Sequence, residues 1–228
     1  MKKYTLYAFV LISIAELISV TYSIGELSLV AKPLIMIALA AYYFSRTSIR
    51  SSLFLTALFF CWLGDVLLMF DYRSELFFMA GLGSFLTGHI LYILCYQRFR
   101  FSIATNPLLG PQKIRFSLPI ILAGTGLVVV LYPKLGDLTM PVVVYALVIT
   151  FMALQALFRF GYTSTKSFAL VFCGALCFMI SDSLLAINKF LQAIPFASVW
   201  IMSTYMLAQY LIVEGVIAHE NKKAAHNF

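Results

Sequence analysis

Apolar residues run through this chain in eight long stretches separated by short polar segments: 4–23, 27–44, 51–70, 75–97, 116–132, 138–158, 167–187 and 195–218. Most approach the ~20 residues that a helix rising 1.5 Å per residue needs to cross ~30 Å of hydrocarbon. The run 116–132 is the shortest. The pattern predicts an all-α, polytopic membrane protein with eight transmembrane helices. Lys2 and Lys3 ahead of the first run resemble the start of a signal peptide. Glu16 in the middle of that run and the lack of a small-x-small cleavage site favour a retained signal anchor.

Composition agrees. Hydrophobic residues are 62% of the 228 and charged residues 11%, against roughly 45–50% and about 25% in soluble domains. So little charge cannot cover the surface of a small soluble protein. The net charge of +7 raises nucleic acid as a partner, but the basic residues form no patch with interleaved aromatics, and the expectation is no nucleic acid. They occupy the short segments between apolar runs, where a bilayer accounts for them. All four cysteines (Cys61, Cys95, Cys173 and Cys177) fall inside apolar runs, so a disulfide scaffold is not expected. Cys173 and Cys177 share a helical face, but no histidine or second pair stands at ligand spacing. They read as packing residues, and no metal is expected.

Loop charge sets the orientation. With the N-terminus inside, the inner segments carry Lys2, Lys3, Arg46, Arg50, Arg98, Arg100, Lys113, Arg115, Arg159, Lys166, Lys222 and Lys223, while the outer loops carry only Arg73, Lys134 and Lys189. Twelve against three is a strong positive-inside bias. Both termini are therefore expected in the cytoplasm, which an even number of spans requires. Residues 1–218 read as a single eight-span domain and 219–228 as a loose polar cytoplasmic tail. Gly64-Asp65-Val66-Leu67-Leu68 near the end of span three and Ser181-Asp182-Ser183-Leu184-Leu185 near the end of span seven share a small-Asp-x-Leu-Leu pattern. Four spans separate the copies, as a duplicated four-helix unit would give.

Ionisable groups inside spans are the most informative residues. A charge at mid-bilayer costs about 2.5–3.5 kcal/mol on insertion scales, so one is rarely kept without a task. Five qualify: Glu16, Lys32, Asp65, His89 and Asp182. Asp65 and Asp182 each lie about five residues, roughly 7 Å, from the outer end of their runs, with Lys32 and Glu16 at similar depth. The four are expected to converge on one outward-opening pocket. Lys32 precedes Pro33 and has an alternative role in snorkelling to the head groups. Glu16 lies on a stripe with Ser13, Ser19 and Ser23 that also suits interhelical hydrogen bonding. His89 shares a face with Gly81, Phe85, Tyr92 and Tyr96, roughly 20 Å below the outer end of its span. Gln209 lies at matching depth in span eight with Tyr205 one turn above, and His89 and Gln209 are expected to floor a deep cavity.

Two carboxylates in a half-dry pocket suit a reaction in which one group protonates a substrate atom and the other, ionised, steadies an oxocarbenium-like cation. The ordered set Lys32-Pro33, Gly64-Asp65-x-Leu-Leu-Met69, Gly81…Phe85…His89…Tyr92, Ser181-Asp182-x-Leu-Leu-Ala186 and Tyr205…Gln209-x-Leu-Ile212 resembles the YhhN-like lysoplasmalogenase family over nearly the whole chain. The resemblance implies an eight-span hydrolase that cleaves the vinyl ether bond of lysoplasmalogens to a fatty aldehyde and a glycerophospho-alcohol, without metal or organic cofactor. Its partners are then a lysophospholipid and the bilayer, and its expected place a bacterial inner membrane. Asp65 and Asp182 are the expected catalytic pair. Lys32, Glu16, His89, Tyr92, Tyr205 and Gln209 are expected to bind substrate, with Lys32, or alternatively Arg73 or Lys189, at the phosphate.

The main rival is a proton-coupled transporter, since intramembrane acids on a duplicated bundle also describe proton relays. No span carries the paired Gly/Pro interruptions of a broken helix, although Pro119 and Pro141 lie near span starts. An intramembrane aspartyl protease is disfavoured because Trp62 stands where the first glycine of a GxGD motif belongs.

Overall fold

The computed structural model describes residues 2–48, 50–101 and 103–226, and the regular structure among them is all helical, with no strand. The helices are α1 (Lys2–Tyr22), α2 (Gly25–Arg46), α3 (Ser52–Leu68), α4 (Glu75–Arg98), α5 (Gly110–Leu135), α6 (Thr139–Leu157), α7 (Thr165–Ala186) and α8 (Ala197–His226). Six stretches among the described residues are long and apolar enough to span a bilayer, and α3 is a shorter apolar helix. One of the six, residues 110–157, folds back on itself at Gly136, which takes φ 51°. A three-residue 3₁₀ turn follows, and Gly124 of α5 then faces Thr150 of α6. Leu11, Leu122, Val129 and Leu147 remain largely exposed on the helix surfaces, which suits lipid and would be a large liability in water. The chain is a multi-pass integral membrane protein.

Local chemistry places the helix starts. Ser51 accepts a hydrogen bond from Phe54 N–H at 3.3 Å, and Ser164 accepts one from Ser167 N–H at 3.2 Å, satisfying donors that the first turn leaves without partners. Pro111 at the start of α5 has no such donor to satisfy. This explains why α5 begins at Gly110 and not at 116: the polar Gln112, Lys113 and Arg115 break the apolar run but not the helix. Pro33, Pro119 and Pro133 lie inside helices that continue past them. A bilayer tolerates the missing N–H where neighbouring groups satisfy the freed carbonyl.

The chain divides into two compact units, one ending at Tyr92 and the other beginning at Ile93. In the first, α1 and α2 form an antiparallel hairpin whose turn is fixed by Ser19, which hydrogen-bonds through Oγ to the Ile24 carbonyl at 2.6 Å. Helices α3 and α4 are also antiparallel. Leu68 meets Gly81, Gly64 meets Phe85, Cys61 meets Gly88 and Phe54 meets Tyr92. A Cβ at Gly64 would lie 2.6 Å from the Phe85 ring, and one at Gly88 2.9 Å from Cys61 Sγ. Small residues thus set the approach, as packing in lipid requires when no hydrophobic force brings helices together.

In the second unit α7 and α8 are antiparallel. Ser181 Oγ donates to the Ile201 carbonyl at 3.0 Å, Phe178 meets Tyr205 edge-on at 5.4 Å, and Gly174 and Gly215 admit close backbone approach. The two hairpins share a register: Gly64 faces a residue 21 positions on, and Ser181 one 20 positions on. In both, an aspartate follows the contacting small residue.

The segment expected to be a loose tail continues as helix to His226, with His219 and Glu220 buried. His219 is fixed by Thr163 Oγ1 at 2.8 Å from Nδ1 and stacks on Phe101 at 4.7 Å. Its last two residues, Asn227 and Phe228, lie outside the described residues.

Candidate functional site

In the first unit Glu16 is buried on α1 and accepts a hydrogen bond from Ser28 Oγ on α2 at 2.9 Å through Oε1. Lys32, one turn further along α2 and half-buried, acts electrostatically on the same carboxylate. Glu16 and Lys32 thus lie within electrostatic reach of each other. Glu16 Oε2 and Ser13 Oγ are buried with no hydrogen-bond partner among the described residues, so the serine stripe satisfies only part of the acid.

Asp65 is buried on α3, 4% exposed. Its neighbour Gly64 lets Phe85 sit against the α3 backbone, and the His89 ring stacks on Phe85 with centroids 6.4 Å apart. His89 and Tyr92 are fully buried, Tyr92 against Phe54 at 5.8 Å. Phe85, His89 and Tyr92 thus lie on the α4 face that meets α3, and Asp65 is buried one residue after Gly64, which makes that contact. A shallow apolar groove of about 320 Å³ opens between α2 and α3, lined by Met36, Ile37, Leu58, Phe59 and Trp62.

In the second unit Asp182 is half-buried on α7. The Tyr145 hydroxyl of α6 donates to its Oδ2 at 2.5 Å. The pair lines a narrow cleft of about 40 Å³ whose other walls are mostly aliphatic, among them Leu127, Leu131, Val142 and Met179. Tyr205 and Gln209 are buried together on α8, Gln209 donating to the Tyr205 hydroxyl at 3.4 Å. Tyr145 is not singled out in the sequence because no ionisable or polar residue stands near it on α6 to mark a site. A lone tyrosine in the valine-rich start of α6 was the available signal.

Similar distances from the run ends had suggested similar depths for the two aspartates. The helix ends differ: α3 stops at Leu68, three residues past Asp65, whereas winding in α7 continues through a π turn, Ile187–Leu191, nine residues past Asp182. Asn188 Oδ1 holds that turn by accepting from Ile194 N–H at 3.0 Å.

A second polar cluster escaped the sequence reading. Arg159, counted there as loop charge, is fully buried. Its Nε and Nη2 both donate to the Phe99 carbonyl at 3.3 Å, and Nη2 donates to Ser167 Oγ at 3.0 Å. Ser167 Oγ donates in turn to the Gly215 carbonyl at 2.6 Å, and the guanidinium lies 5.8 Å from the Tyr96 ring centroid. Burial brings the Arg159 pKa down to about 10, with Tyr96 opposing the fall and Arg100 adding to it. It therefore remains charged at neutral pH, one cation tying together the end of α4, the start of α7 and α8. Beside it Arg100 donates to Gln155 Oε1 at 2.9 Å, and burial lowers its pKa too.

The comparisons with known proteins bear on all of this. The sequence profile of the YhhN family matches residues 27–216. The chain belongs to the YhhN family. The matched region holds Lys32, both aspartates, His89, Tyr145, Arg159 and Gln209; Glu16 lies ahead of it. The chain is 35% identical over 136 residues to the human lysoplasmalogenase TMEM86B, covering 59% of this chain and 52% of that protein. It is 31% identical over 140 residues to the lysoplasmalogenase of Mycobacterium tuberculosis, covering 60% and 50%. It is 30% identical over 159 residues to the bovine lysoplasmalogenase TMEM86A, covering 68% and 61%. The chain thus spans about half the length of the first of these relatives. No solved structure matches this YhhN family chain. Among the described residues no group of three or more His, Cys, Asp or Glu side chains is placed to hold a metal ion.

Proposed function

We propose that this YhhN protein is a membrane hydrolase that opens the vinyl ether bond of lysoplasmalogens, releasing a fatty aldehyde and glycerophosphocholine or glycerophosphoethanolamine. The observation that carries the reading is the pair of small-Asp steps, Gly64-Asp65 and Ser181-Asp182, each set on a helix face that packs antiparallel onto the next helix. The names borne by its relatives supply the substrate class. In this reading the polypeptide crosses a bacterial inner membrane eight times, α5 and α6 counting separately and α3 completing the set. It forms one transmembrane domain over 1–218 with both termini in the cytoplasm. The shared register of the α3–α4 and α7–α8 hairpins supports an ancestral duplication of a four-helix unit.

The chemistry needs an acid and a base. One aspartic acid protonates the alkenyl carbon; the π electrons form the new C–H bond and the positive charge spreads over the adjoining carbon and the ether oxygen. The other aspartate, ionised, stabilises that cation and takes a proton as water adds to the carbon. The resulting hemiacetal loses its hydroxyl proton and expels the glycerol oxygen, which is protonated, so one water is consumed and both carboxyl groups return to their starting states. Lys32, steadied by Glu16, pairs with the phosphate. His89, Tyr92, Tyr205 and Gln209 line the path of the alkenyl chain. Neither metal nor organic cofactor enters this scheme.

The test is purified protein in detergent with a lysoplasmalogen and an assay of free aldehyde. Asp65→Asn and Asp182→Asn are each expected to lose turnover by about 10²-fold or more, as the loss of an acid–base group does. Near-normal turnover in either variant refutes the two-carboxylate scheme. No aldehyde from the wild-type protein refutes the hydrolase reading and leaves the transporter.

A further inference from the structure

The second unit holds a cavity of about 440 Å³ that takes no part in the hydrolysis scheme. Its size falls among ordinary ligand pockets, roughly 300–1,000 Å³. Four phenylalanines form its walls: Phe116 on α5, Phe160 in the α6–α7 turn, and Phe168 and Phe172 on α7. Phe168 stacks on Phe172 with centroids 5.6 Å apart and meets Phe160 edge-on at 5.1 Å. The α4–α5 loop completes the wall and is tied in place. Thr105 N–H donates to the Gly161 carbonyl and Phe101 N–H to the Tyr162 carbonyl, each at 2.7 Å.

The rim differs from the walls. Asn106 and Gln112 line it, both exposed, and Gln112 accepts the Leu109 N–H through Oε1 at 2.9 Å, which leaves its amide nitrogen to donate. Arg115 sets its guanidinium 5.8 Å from the Phe116 ring centroid, and Lys113 its ammonium 6.0 Å from that of Phe158. No carboxylate lines the cavity, and no Asp or Glu stands in 98–115 or 158–166, the two segments that meet here. Phe116 and Phe172 lie six and seven residues past the starts of their helices, roughly 9–10 Å along the axis at 1.5 Å per residue. The site is thus an aromatic slot that runs into the hydrocarbon from a mouth with two amides, two cations and no anion.

We infer that this slot binds an anionic phospholipid of the leaflet on the side of the basic loops, one acyl chain lying against the four phenylalanines and the phosphodiester meeting Lys113, Arg115 and the two amides. A membrane lipid fits because the walls are apolar and open to the bilayer side of the bundle, where Phe116 is 47% exposed. An anionic head is favoured over a zwitterionic one because nothing at the mouth pairs with an ammonium. Choline or ethanolamine would bring its positive charge up to two others. Each basic residue placed at a membrane surface strengthens attraction to anionic lipid about fivefold. The bound lipid bridges α5 to α7, a role separate from hydrolysis and from the Arg159 cluster.

The test places a reporter in the slot. With Trp62 and Trp200, the two tryptophans of the chain, changed to phenylalanine, Phe116→Trp supplies a single fluorophore in the full-length protein reconstituted into vesicles. Quenching by chain-brominated phosphatidylglycerol, set against chain-brominated phosphatidylcholine at the same mole fraction, gives the relative affinity at position 116. The expected preference for the anionic lipid is about ten- to thirtyfold. It is expected to fall within about twofold of unity in Lys113→Gln/Arg115→Gln, which alters only exposed side chains. Equal quenching by the two lipids, or a preference that survives the double substitution, overturns the inference. Displacement of the anionic lipid by inorganic phosphate at matched ionic strength also overturns it, since the ligand is then the free anion. If Phe116→Trp fails to fold, mass spectrometry of the lipid retained by the wild-type protein through detergent purification replaces it. Enrichment of anionic over zwitterionic phospholipid relative to the host membrane is expected in the wild type and not in Lys113→Gln/Arg115→Gln, and a wild-type ratio equal to that of the membrane overturns the inference. Aldehyde release by the double variant is expected to match the wild type, so the lipid site and the hydrolase reading fail separately.

Discussion

Replacing Arg159 by methionine removes a buried cation of similar length and leaves its acceptors behind. Arg159 is fully buried and serves two acceptors, the Phe99 carbonyl through Nε and Nη2 and Ser167 Oγ through Nη2. Hydrogen bonds from a charged group contribute about 1.5–3 kcal/mol each, and an acceptor left buried without a donor costs a similar amount. Against this, the variant no longer buries a guanidinium, one of whose nitrogens, Nη1, has no hydrogen-bond partner among the described residues. The net expectation is a loss of about 3 kcal/mol, concentrated where α4, α7 and α8 meet. Cys95, fully buried within electrostatic reach of Arg159 and Glu220, reports on that junction. With Cys61, Cys173 and Cys177 changed to alanine, labelling of Cys95 by a maleimide requires the junction to open. When opening and closing are faster than labelling, the rate follows the open population. A loss of 3 kcal/mol then speeds labelling roughly a hundredfold, at ~1.4 kcal/mol per decade. Arg159→Lys keeps the charge but not the fork, and is expected to fall between methionine and wild type. Labelling within twofold of wild type in Arg159→Met would show that the cation holds nothing together.

Two further outcomes follow from packing. Gly161 has φ 77°, and a Cβ there would lie 2.6 Å from Pro107 Cα, so Gly161→Ala is expected to lower thermal stability by more than the ~1–2 kcal/mol of left-handed backbone strain alone. Gly126→Ala, with nothing within 4 Å of its Cβ in the middle of α5, is expected to raise it by roughly 0.5–1 kcal/mol, and thermal midpoints in detergent that rank these two the other way round would refute the account. Gly215→Ala meets Val171 Cγ2 at 2.5 Å and Val171 N at 2.9 Å, so it is expected to cost about 1–3 kcal/mol, with Val171→Ala restoring only part because the backbone nitrogen remains. Complete restoration would show that side-chain overlap alone sets the α7–α8 distance.

The sequence by itself determined the membrane class, the helical content and the main ionisable residues. Each follows from a local cause. Twenty apolar residues in lipid must satisfy their own backbone hydrogen bonds, which only a helix does within one segment. A charge inside such a run stands out because its cost does not depend on the neighbours. Glu16, Lys32 and Asp65 were legible as intramembrane ionisable groups for that reason. The tertiary structure decided what depends on partners far away in the chain. Arg159 reads as loop charge until Phe99 and Ser167 close around it. His219 and Glu220 read as tail until the α4 end and the 158–164 turn bury them. Tyr145 reads as one aromatic among many until α7 brings Asp182 to its hydroxyl. Hydropathy records what a residue costs to place in lipid, whereas a hydrogen bond across 37 positions, like that of Tyr145 to Asp182, depends on which helices the packing makes neighbours.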